Sequence, residues 1–342
     1  MKKTKNSYKK SGVNIETADK FTKYIARYSK QAFKKNNKYI AQDIGGFASA
    51  YNFHKLKVKD PILLSSTDGV GTKLEIANRF KKYNSIGIDL VAMCINDLIV
   101  QGAKPLFFLD YIAVQKIKLK KVKSIIKGIV KGCKMSGCIL AGGETAEMPG
   151  TYESNKFDLA GFAVGVVSKK KLIHKGRVKN RNIILAIPSS GLHSNGFSLV
   201  RQILKKQKIN NFLKKELLKP TKIYVDPVLK LSEKNLLNSS ANITGGGIIG
   251  NITRSIPSEL TANIDLSKIK VTKIFKWIKN KNLSDKEMLE TFNCGVGFCL
   301  IIDPKNYKKT IKFFSNQYKP YIIGKISNGS KKVNLNGKIN WS

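Results

Sequence analysis

Acidic residues are scarce in this chain of 342 residues, which has 22 aspartates and glutamates against 63 lysines and arginines. The formal net charge of +41 excludes an acidic disordered chain and suggests an anionic partner. Arginine is scarce too, because only six of the basic residues are arginines. Proteins that read nucleic-acid sequence rely on the planar arginine fork. The lysine excess therefore favours a solvated surface, and no specific nucleic-acid partner is expected.

Long apolar runs are also missing. No segment approaches the roughly 18–20 apolar residues that span a bilayer, and no apolar stretch follows the basic N-terminus as a secretory signal would require. The five cysteines, an odd number, lack the paired spacing of a zinc site. We therefore expect buried free thiols in a cytoplasmic protein without a membrane partner.

The sequence pattern indicates a mixed α/β (α+β) chain with two domains. Its 342 residues are about twice the roughly 150 residues of a typical domain. Three consecutive lysines at 169–171 mark a plausible junction, so we expect domains over residues 1–168 and 169–342. The clearest predicted elements are helices over 86–101 and 118–136 and strands over 106–114, 157–168, 182–187 and 295–302.

Positive charge avoids the glycine-rich segments. Residues 85–115 hold one lysine and three aspartates, residues 136–168 hold one lysine and four acids, and residues 240–252 carry no charge. The lysine-rich segments between them are typical of solvated surface. The chemistry is therefore expected in the neutral and acidic glycine-rich segments.

The first of these segments is D-G-V-G-T-K at 68–73, between a predicted strand and a predicted helix. A glycine-rich turn exposes backbone N–H groups to an anion, and Lys73 can add positive charge. The spacing is not that of a Walker A loop. A carboxylate such as Asp68 beside a phosphate cradle indicates Mg²⁺ between them. A plain turn is the alternative interpretation.

Carboxylates mark two further segments. Asp97 lies in the apolar helix predicted over 86–101, where an unpaired buried carboxylate would be costly. It therefore either faces a ligand or bonds to a neighbour. Glu144 and Glu147 lie in G-G-E-T-A-E-M-P-G at 142–150, a predicted loop between strands. They are candidates for Mg²⁺–nucleotide coordination, with solvated surface acids as the alternative.

Two segments of the second half suit a phosphate or a polar small molecule. S-S-G-L-H-S-N-G at 189–196 lies between a strand and a helix, and T-G-G-G at 244–247 permits close backbone approach. His193 is the best candidate for acid–base chemistry, although a structural role is the alternative. The serines lack the G-x-S-x-G elbow of a hydrolase. No predicted strand is followed by the G-x-G-x-x-G turn of a dinucleotide-binding fold.

Together, the order and the amino-acid sequences of these segments closely resemble those of the aminoimidazole ribonucleotide synthetase family, within the AIR synthase-related superfamily. The resemblance covers about residues 7–328. The 26 residues I-G-I-D-L-V-A-M-C-I-N-D-L-I-V-Q-G-A-K-P-L-F-F-L-D-Y at 86–111 are the most specific part. The other similar segments are at 7–15, 63–74, 142–152, 189–201, 220–225, 243–247 and 291–297.

The resemblance implies a ligase of purine biosynthesis that uses ATP and Mg²⁺. Such an enzyme closes the ring of formylglycinamidine ribonucleotide to give 5-aminoimidazole ribonucleotide, ADP and phosphate. ATP phosphorylates the formyl oxygen, and the amidine nitrogen then attacks that carbon and displaces phosphate. The resemblance also implies a homodimer with two-domain chains. The N-terminal domains form a shared barrel, and each C-terminal domain is α/β.

The resemblance also implies roles for individual residues. The expected Mg²⁺ ligands are Asp68, Asp97 and Glu144. The phosphates of ATP are expected against Gly45, Gly46, Gly69, Gly71 and Lys73, with Asp68 beside them. The substrate is expected on Ser190, Gly191, His193, Ser194, Asn195, Gly245, Gly246 and Gly247. Catalysis is expected from Lys73, Asp97 and His193.

Other functions fit the sequence less well. Selenophosphate synthetase needs a reactive cysteine or selenocysteine in an N-terminal loop, and no cysteine precedes Cys94. The amidotransferase of the same superfamily is several times longer, and thiamine-monophosphate kinase lacks the sequence found here at 86–111. A basic nucleic-acid-binding module would bind with an affinity that falls steeply with salt and would not turn over ATP.

Overall fold

The computed structural model describes residues 11–42, 44–330 and 332–342. Residues 7–10, where the first similar segment begins, lie outside this part of the chain. The fold is mixed α/β, as predicted, and the described strands form two sheets. Within the described residues, no helix is both long and apolar enough to cross a membrane.

The first half of the chain builds a four-stranded sheet in the order β1-β4-β2-β3. Strands β2 and β3 are parallel, and the other pairs are antiparallel. The helices are α1 (Ile15–Ala32), α2 (Lys73–Phe80), α3 (Asn84–Val100) and α4 (Leu119–Ser136), and the strands are β1 (Pro61–Gly69), β2 (Lys104–Val114), β3 (Ile139–Glu147) and β4 (Phe157–Ser168).

Side chains alternate along these strands, so one face of the first sheet is covered and the other is open. Helices α3 and α4 pack closely, since a Cβ on Gly87 would lie 2.4 Å from the Ile125 carbonyl oxygen. The opposite face leaves Leu63, Tyr111 and Phe162 with 59%, 40% and 40% of their surface exposed. The sheet therefore presents an apolar face to its surroundings.

The second half builds a six-stranded sheet in the order β10-β7-β9-β5-β8-β6, in which only β7 and β10 pair in parallel. Its strands are β5 (Ile183–Pro188), β6 (Ser239–Asn242), β7 (Leu260–Asp265), β8 (Val296–Ile302), β9 (Tyr321–Asn328) and β10 (Val333–Asn336). Its helices are α5 (Phe197–Leu204), α6 (Asn211–Leu218), α7 (Val225–Glu233), α8 (Gly247–Ile252), α9 (Lys273–Lys279), α10 (Asp285–Thr291) and α11 (Tyr307–Thr310).

One buried hydrophobic cluster around α3 includes side chains of both halves, and a second cluster lies mainly in the second half. Side chains of the second half such as Val228 and Phe298 belong to the same buried cluster as Ile95 of α3. The Asn96 side chain donates to the Lys222 carbonyl at 2.8 Å and accepts from the Tyr224 N–H at 3.1 Å. This packing fixes α3 of the first half against the segment around 222–224 of the second half. The division of the chain at 168 and 169 stays a prediction.

The predicted loop at 142–150 is largely a strand, which corrects the sequence interpretation. Strand β3 continues through Glu147 because its backbone pairs with β2, from Leu109 opposite Gly142 to Val114 opposite Glu147. Glu147 has structural contacts, since its carboxylate accepts the backbone N–H groups of Asn14 and Ile117 at 2.7 Å. All five cysteines are buried and unpaired, as predicted.

Candidate active site

Four of the predicted segments lie close together between the two halves of the chain, in a region called the cleft below. Asp68 near the end of β1 and Asp97 of α3 are close enough to interact electrostatically. The Asn242 amide of β6 donates to Asp97 Oδ1 at 2.8 Å. On the other wall, the hydroxyls of Thr72 and Ser198 lie 3.1 Å apart. The cleft thus brings together sequence segments that are more than a hundred residues apart.

The Asp68 and Asp97 carboxylates suit a divalent cation. Burial raises the pKa of Asp68, and the negative charge of Asp97 raises it further. Burial also raises the pKa of Asp97, although the Asn242 amide and the Arg254 charge oppose this. A pair of like charges in a partly desolvated cleft is relieved by a bound cation, and Mg²⁺ prefers carboxylate oxygens. These two residues therefore fit the expected metal.

Glu144, the third predicted Mg²⁺ ligand, lies apart from this pair. Asp68 is aligned with Gly161, Asp110 and Gly143 on successive strands, which places β3 three strand spacings, about 14 Å, from β1. Glu144 is the next residue along and pairs with Tyr111. Within the described residues, no three His, Cys, Asp or Glu side chains form a group that could hold a metal ion.

Gly45 and Gly46 belong to a second cavity, away from Asp68. This cavity has a volume of about 520 Å³, and Asp110 and Glu144 also line it. Sequence reasoning missed Asp110, which is 5% exposed and whose pKa burial raises to about 7, with a smaller effect of Glu144. Its position in the apolar run F-F-L-D-Y could have marked Asp110 as a candidate, because an aspartate is unusual in a buried strand. The residues predicted to bind the nucleotide therefore lie in two separate places, the cleft with Asp68 and this second cavity with Gly45 and Gly46.

Lys73 is buried rather than open to the cleft, which differs from the expected phosphate contact. Its Nζ lies 2.8 Å from both carboxylate oxygens of Asp89 and donates to the carbonyls of His193 and Lys219 at 2.8 Å. An ammonium group has three N–H donors, so these partners use all of them. Asp89 also accepts from the Thr221 N–H and hydroxyl at 2.7 Å. Lys73 therefore joins the first half of the chain to the second.

His193 is likewise placed differently from the expected acid–base residue. Only 2% of its surface is exposed, and its Nε2 accepts the Ser190 N–H at 3.2 Å. Burial and, to a smaller extent, the Lys73 charge lower the pKa of His193 to about 3. The imidazole is therefore neutral at neutral pH and engaged with the backbone, which suits positioning of its loop better than proton transfer.

Neutral burial of His193 predicts a pH dependence of stability. In the unfolded chain, His193 is protonated below a pKa of about 6.5. In the folded chain, it stays neutral until the pH falls to its lowered pKa of about 3. The free energy of unfolding should therefore fall with decreasing pH in this range, with this residue contributing about 1.4 kcal/mol per pH unit. Urea unfolding of wild type and His193→Asn at several pH values measures this contribution as the difference in slope.

The exposed His174 provides the control. His174→Asn should keep the wild-type slope between pH 6 and 4, whereas His193→Asn should flatten it. Identical slopes for all three proteins would contradict a neutral buried His193.

The loop that carries His193 offers a free donor at Asn195. The Ser190 hydroxyl donates to the Pro220 carbonyl at 2.8 Å, and the Ser194 hydroxyl lies 3.2 Å from that of Thr221. By contrast, the Asn195 Nδ2 is buried without a hydrogen-bond partner. Buried polar atoms are normally paired, so an unpaired amide at a cleft indicates a ligand contact. Gly191 is held by the Asn293 amide, which donates to its carbonyl at 2.9 Å.

The T-G-G-G turn faces the same loop. A Cβ on Gly245 would lie 3.7 Å from the Asn195 Oδ1, and Gly245 and Gly246 are exposed. Gly247 has a packing role instead, because a Cβ there would lie 1.8 Å from the Leu289 carbonyl oxygen. Of the predicted substrate residues, Gly245 and Gly246 have exposed backbone although their carbonyls accept from the Asn251 amide and the Gly250 N–H, and Asn195 Nδ2 is buried without a partner. Ser190, Ser194 and His193 bond within the protein.

Two protein-family models match most of the chain. The family model of the AIR synthase related protein, N-terminal domain, matches residues 53–167, and that of the C-terminal domain matches residues 182–335. The chain is therefore an AIR synthase-related protein, and the predicted two-domain fold class is confirmed.

The particular family follows from full-length similarity. The chain is 45% identical to the phosphoribosylformylglycinamidine cyclo-ligase of Thermodesulfovibrio yellowstonii, over 95% of this chain and 97% of that protein. It belongs to the phosphoribosylformylglycinamidine cyclo-ligase family, as the resemblance predicted.

Solved structures show that the fold is shared more widely. Thiamine-monophosphate kinase from Stenotrophomonas maltophilia aligns with a TM-score of 0.68 at 16% identity, over 92% of this chain and 96% of that one. Hydrogenase maturation protein HypE in complex with ATP aligns with a TM-score of 0.59 at 15% identity, over 78% and 77%. At such identities the similarity concerns the fold alone.

Proposed function

We propose that this protein catalyses the ATP-dependent cyclisation of formylglycinamidine ribonucleotide to 5-aminoimidazole ribonucleotide, with release of ADP and phosphate. The observation that carries this proposal is the 45% identity to a phosphoribosylformylglycinamidine cyclo-ligase over nearly the whole of both chains. The cleft supports it, since the Asp97 carboxylate of the first half bonds to Asn242 of the second, two residues before the T-G-G-G turn with its exposed Gly245 and Gly246.

We infer that ATP binds with Mg²⁺ at the Asp68–Asp97 pair. HypE, which shares the fold, is known in complex with ATP. Mg²⁺ bound between the two carboxylates and the phosphates would neutralise charge on the transferring phosphoryl group. The exposed Gly71 can bring its backbone N–H close to the phosphates, whereas the Gly69 N–H donates to Asp68 Oδ1 at 2.7 Å and so orients that carboxylate.

The second cavity, with Gly45, Gly46, Glu144 and Asp110, stays a further candidate for nucleotide contact. Its volume of about 520 Å³ lies in the range of small-molecule sites. Two carboxylates line it, so direct phosphate contact there requires a cation between them.

The substrate is proposed on the wall formed by the second half of the chain. Asn195 Nδ2 and the backbone of Gly245 and Gly246 would hold its polar groups. Lys73 and His193 act as positioning residues, because the Lys73–His193 carbonyl bond and the Ser190–His193 bond fix the loop. The protein then contributes mainly by orienting the formyl oxygen, the amidine nitrogen and the γ-phosphate. This orientation can supply a large part of the rate enhancement.

The test supplies purified protein with formylglycinamidine ribonucleotide, ATP and Mg²⁺ and follows ADP and the aminoimidazole product. ADP release that requires the ribonucleotide, with an equal amount of aminoimidazole, is expected. Release of ADP with thiamine monophosphate instead, or no release dependent on the ribonucleotide, would overturn the proposal.

We further propose a homodimer formed through the open face of the first sheet, in the cytoplasm. Leu63, Tyr111 and Phe162 leave an apolar surface on this face that a second copy can cover. Five buried free thiols are in keeping with a reducing compartment.

Leu63→Glu should convert the dimer to monomers, because it places a charge within an apolar interface. Sedimentation velocity measures the change. Ile322→Glu on the second sheet is the matched control, since Ile322 is also an exposed apolar residue at 37%. A monomeric wild type, or equal dissociation in both variants, would contradict this interface.

A further inference from the structure

A long basic groove follows helix α4, apart from the cleft. Two cavities of about 610 and 560 Å³ share Lys81, Tyr83 and Ser124 in their linings and so join into one surface, here called the α4 groove. Among the described residues, neither lining includes an aspartate or a glutamate. Eight lysines line it, namely Lys81, Lys82, Lys118, Lys120, Lys121, Lys127, Lys131 and Lys134.

The lysines of α4 form a stripe of extended length. Lys120, Ser124, Lys127, Lys131 and Lys134 follow one another at intervals of four, three, four and three residues, which places them on one helix face. With a rise of 1.5 Å per residue the stripe is about 21 Å long. A single phosphate group occupies only a small part of this length, so the stripe fits an extended chain of negative charges.

Most of these lysines are available to an anion, whereas Lys118 and Lys121 already donate to Asn155, and Lys121 also to Asn78. Within the described residues, none of the eight lysines forms a salt bridge with a carboxylate. Lys121 is half-buried against the Phe157 ring, 3.6 Å from its centroid, and burial together with Lys118 lowers its pKa to about 8. The Glu75 charge partly offsets this effect at Lys121. Among the described residues no carboxylate pairs with the lysines at 120, 127, 131 and 134, so positive charge dominates that part of the groove and would attract an anion.

The remaining lining residues decide between kinds of polyanion. Tyr28 and Tyr83 line the same cavity as the lysine stripe and are half-buried. Tyr24 stacks on one face of Tyr28 and the Lys121 ammonium lies over the Tyr83 ring, so one face of each tyrosine at most can stack with a base. The concave shape does not fit the plane of lipid headgroups. The absence of arginine from both linings argues against reading of base sequence.

We propose that the α4 groove binds single-stranded nucleic acid without sequence preference, with phosphates along the lysine stripe and bases against Tyr28 and Tyr83. The groove is separate from the cleft, because Lys81 and Lys82 follow the C-terminal end of α2 while Lys73 begins that helix at the cleft. The eight residues of α2 separate the two sites by about 12 Å along the helix.

The experiment measures fluorescence anisotropy of a labelled oligothymidylate of about a dozen nucleotides with the full chain, between about 50 and 200 mM salt. The groove variant carries Lys127→Gln, Lys131→Gln and Lys134→Gln. Loss of three phosphate contacts should weaken binding roughly tenfold or more at low salt and reduce the slope of log K against log salt by about 2. The control variant changes the exposed Lys308, Lys309 and Lys312 to glutamine, an equal loss of charge.

The control variant should bind like the wild type. Equal weakening in both variants would assign binding to the net charge and overturn the proposal, as would a wild type that does not bind the oligonucleotide. Inorganic polyphosphate that binds the groove as tightly as the oligonucleotide would overturn the part played by the bases. Phosphatidylserine vesicles that bind wild type but not the groove variant, in preference to the oligonucleotide, would overturn nucleic acid as the partner.

Discussion

Asp97→Asn should lower kcat/KM for the ring closure by about 10²–10³, the usual cost of removing one group that stabilises transition-state charge. Asp97 projects from the otherwise buried middle of α3, near Asp68, and its Oδ1 accepts the Asn242 amide. Asparagine keeps the shape and that hydrogen bond but removes the charge that a cation requires. Steady-state kinetics over a range of Mg²⁺ concentrations gives the loss and should show a weaker Mg²⁺ dependence.

Asp226→Asn is the matched control for this prediction. Asp226 is exposed in α7 and pairs with Lys230 at 2.8 Å, so the same change of charge there should leave kcat/KM unchanged. Thermal unfolding should show both variants folded. An Asp97→Asn enzyme with the rate and Mg²⁺ dependence of the wild type would contradict the proposed metal ligand.

Lys73→Met should cost about 3–5 kcal/mol in the free energy of unfolding, since it leaves the buried Asp89 carboxylate without its cation. Lys73 and Asp89 have 1% and 0% of their side-chain surface exposed. The variant also removes the donors to the carbonyls of His193 and Lys219. Urea unfolding followed by circular dichroism measures the loss, and activity should fall with it because the loop that carries His193 loses its anchor.

An exposed ion pair of the same kind tests whether burial is the reason. Lys230→Met breaks the Lys230–Asp226 pair, whose side chains are 50% and 70% exposed, and should cost about 0.2–1 kcal/mol. A loss below about 1 kcal/mol for Lys73→Met would show that the Lys73–Asp89 pair is not required for stability.

Much of the fold could be predicted from patterns along the chain. The apolar spacing in 86–101 and 118–136 predicts α3 and α4 to within about two residues, as is usual for long periodic segments. Strand β6 was not predicted, because three of its four residues, S-S-A-N, are polar, yet all four are buried and the strand pairs with β8. Strand β3 was predicted too short, since its glycines and acids are typical of a turn until β2 provides backbone partners.

The sequence by itself determined the α/β class, the family and the segments in which the chemistry lies, since glycine turns, carboxylates and apolar periods are local properties of the chain. Only the tertiary structure decided which residues meet. The strand order β1-β4-β2-β3 separates Glu144 from Asp68, and packing of α3 between the halves buries Lys73 with Asp89. Strand order and burial depend on contacts between residues far apart in sequence, and no spacing along the chain encodes them.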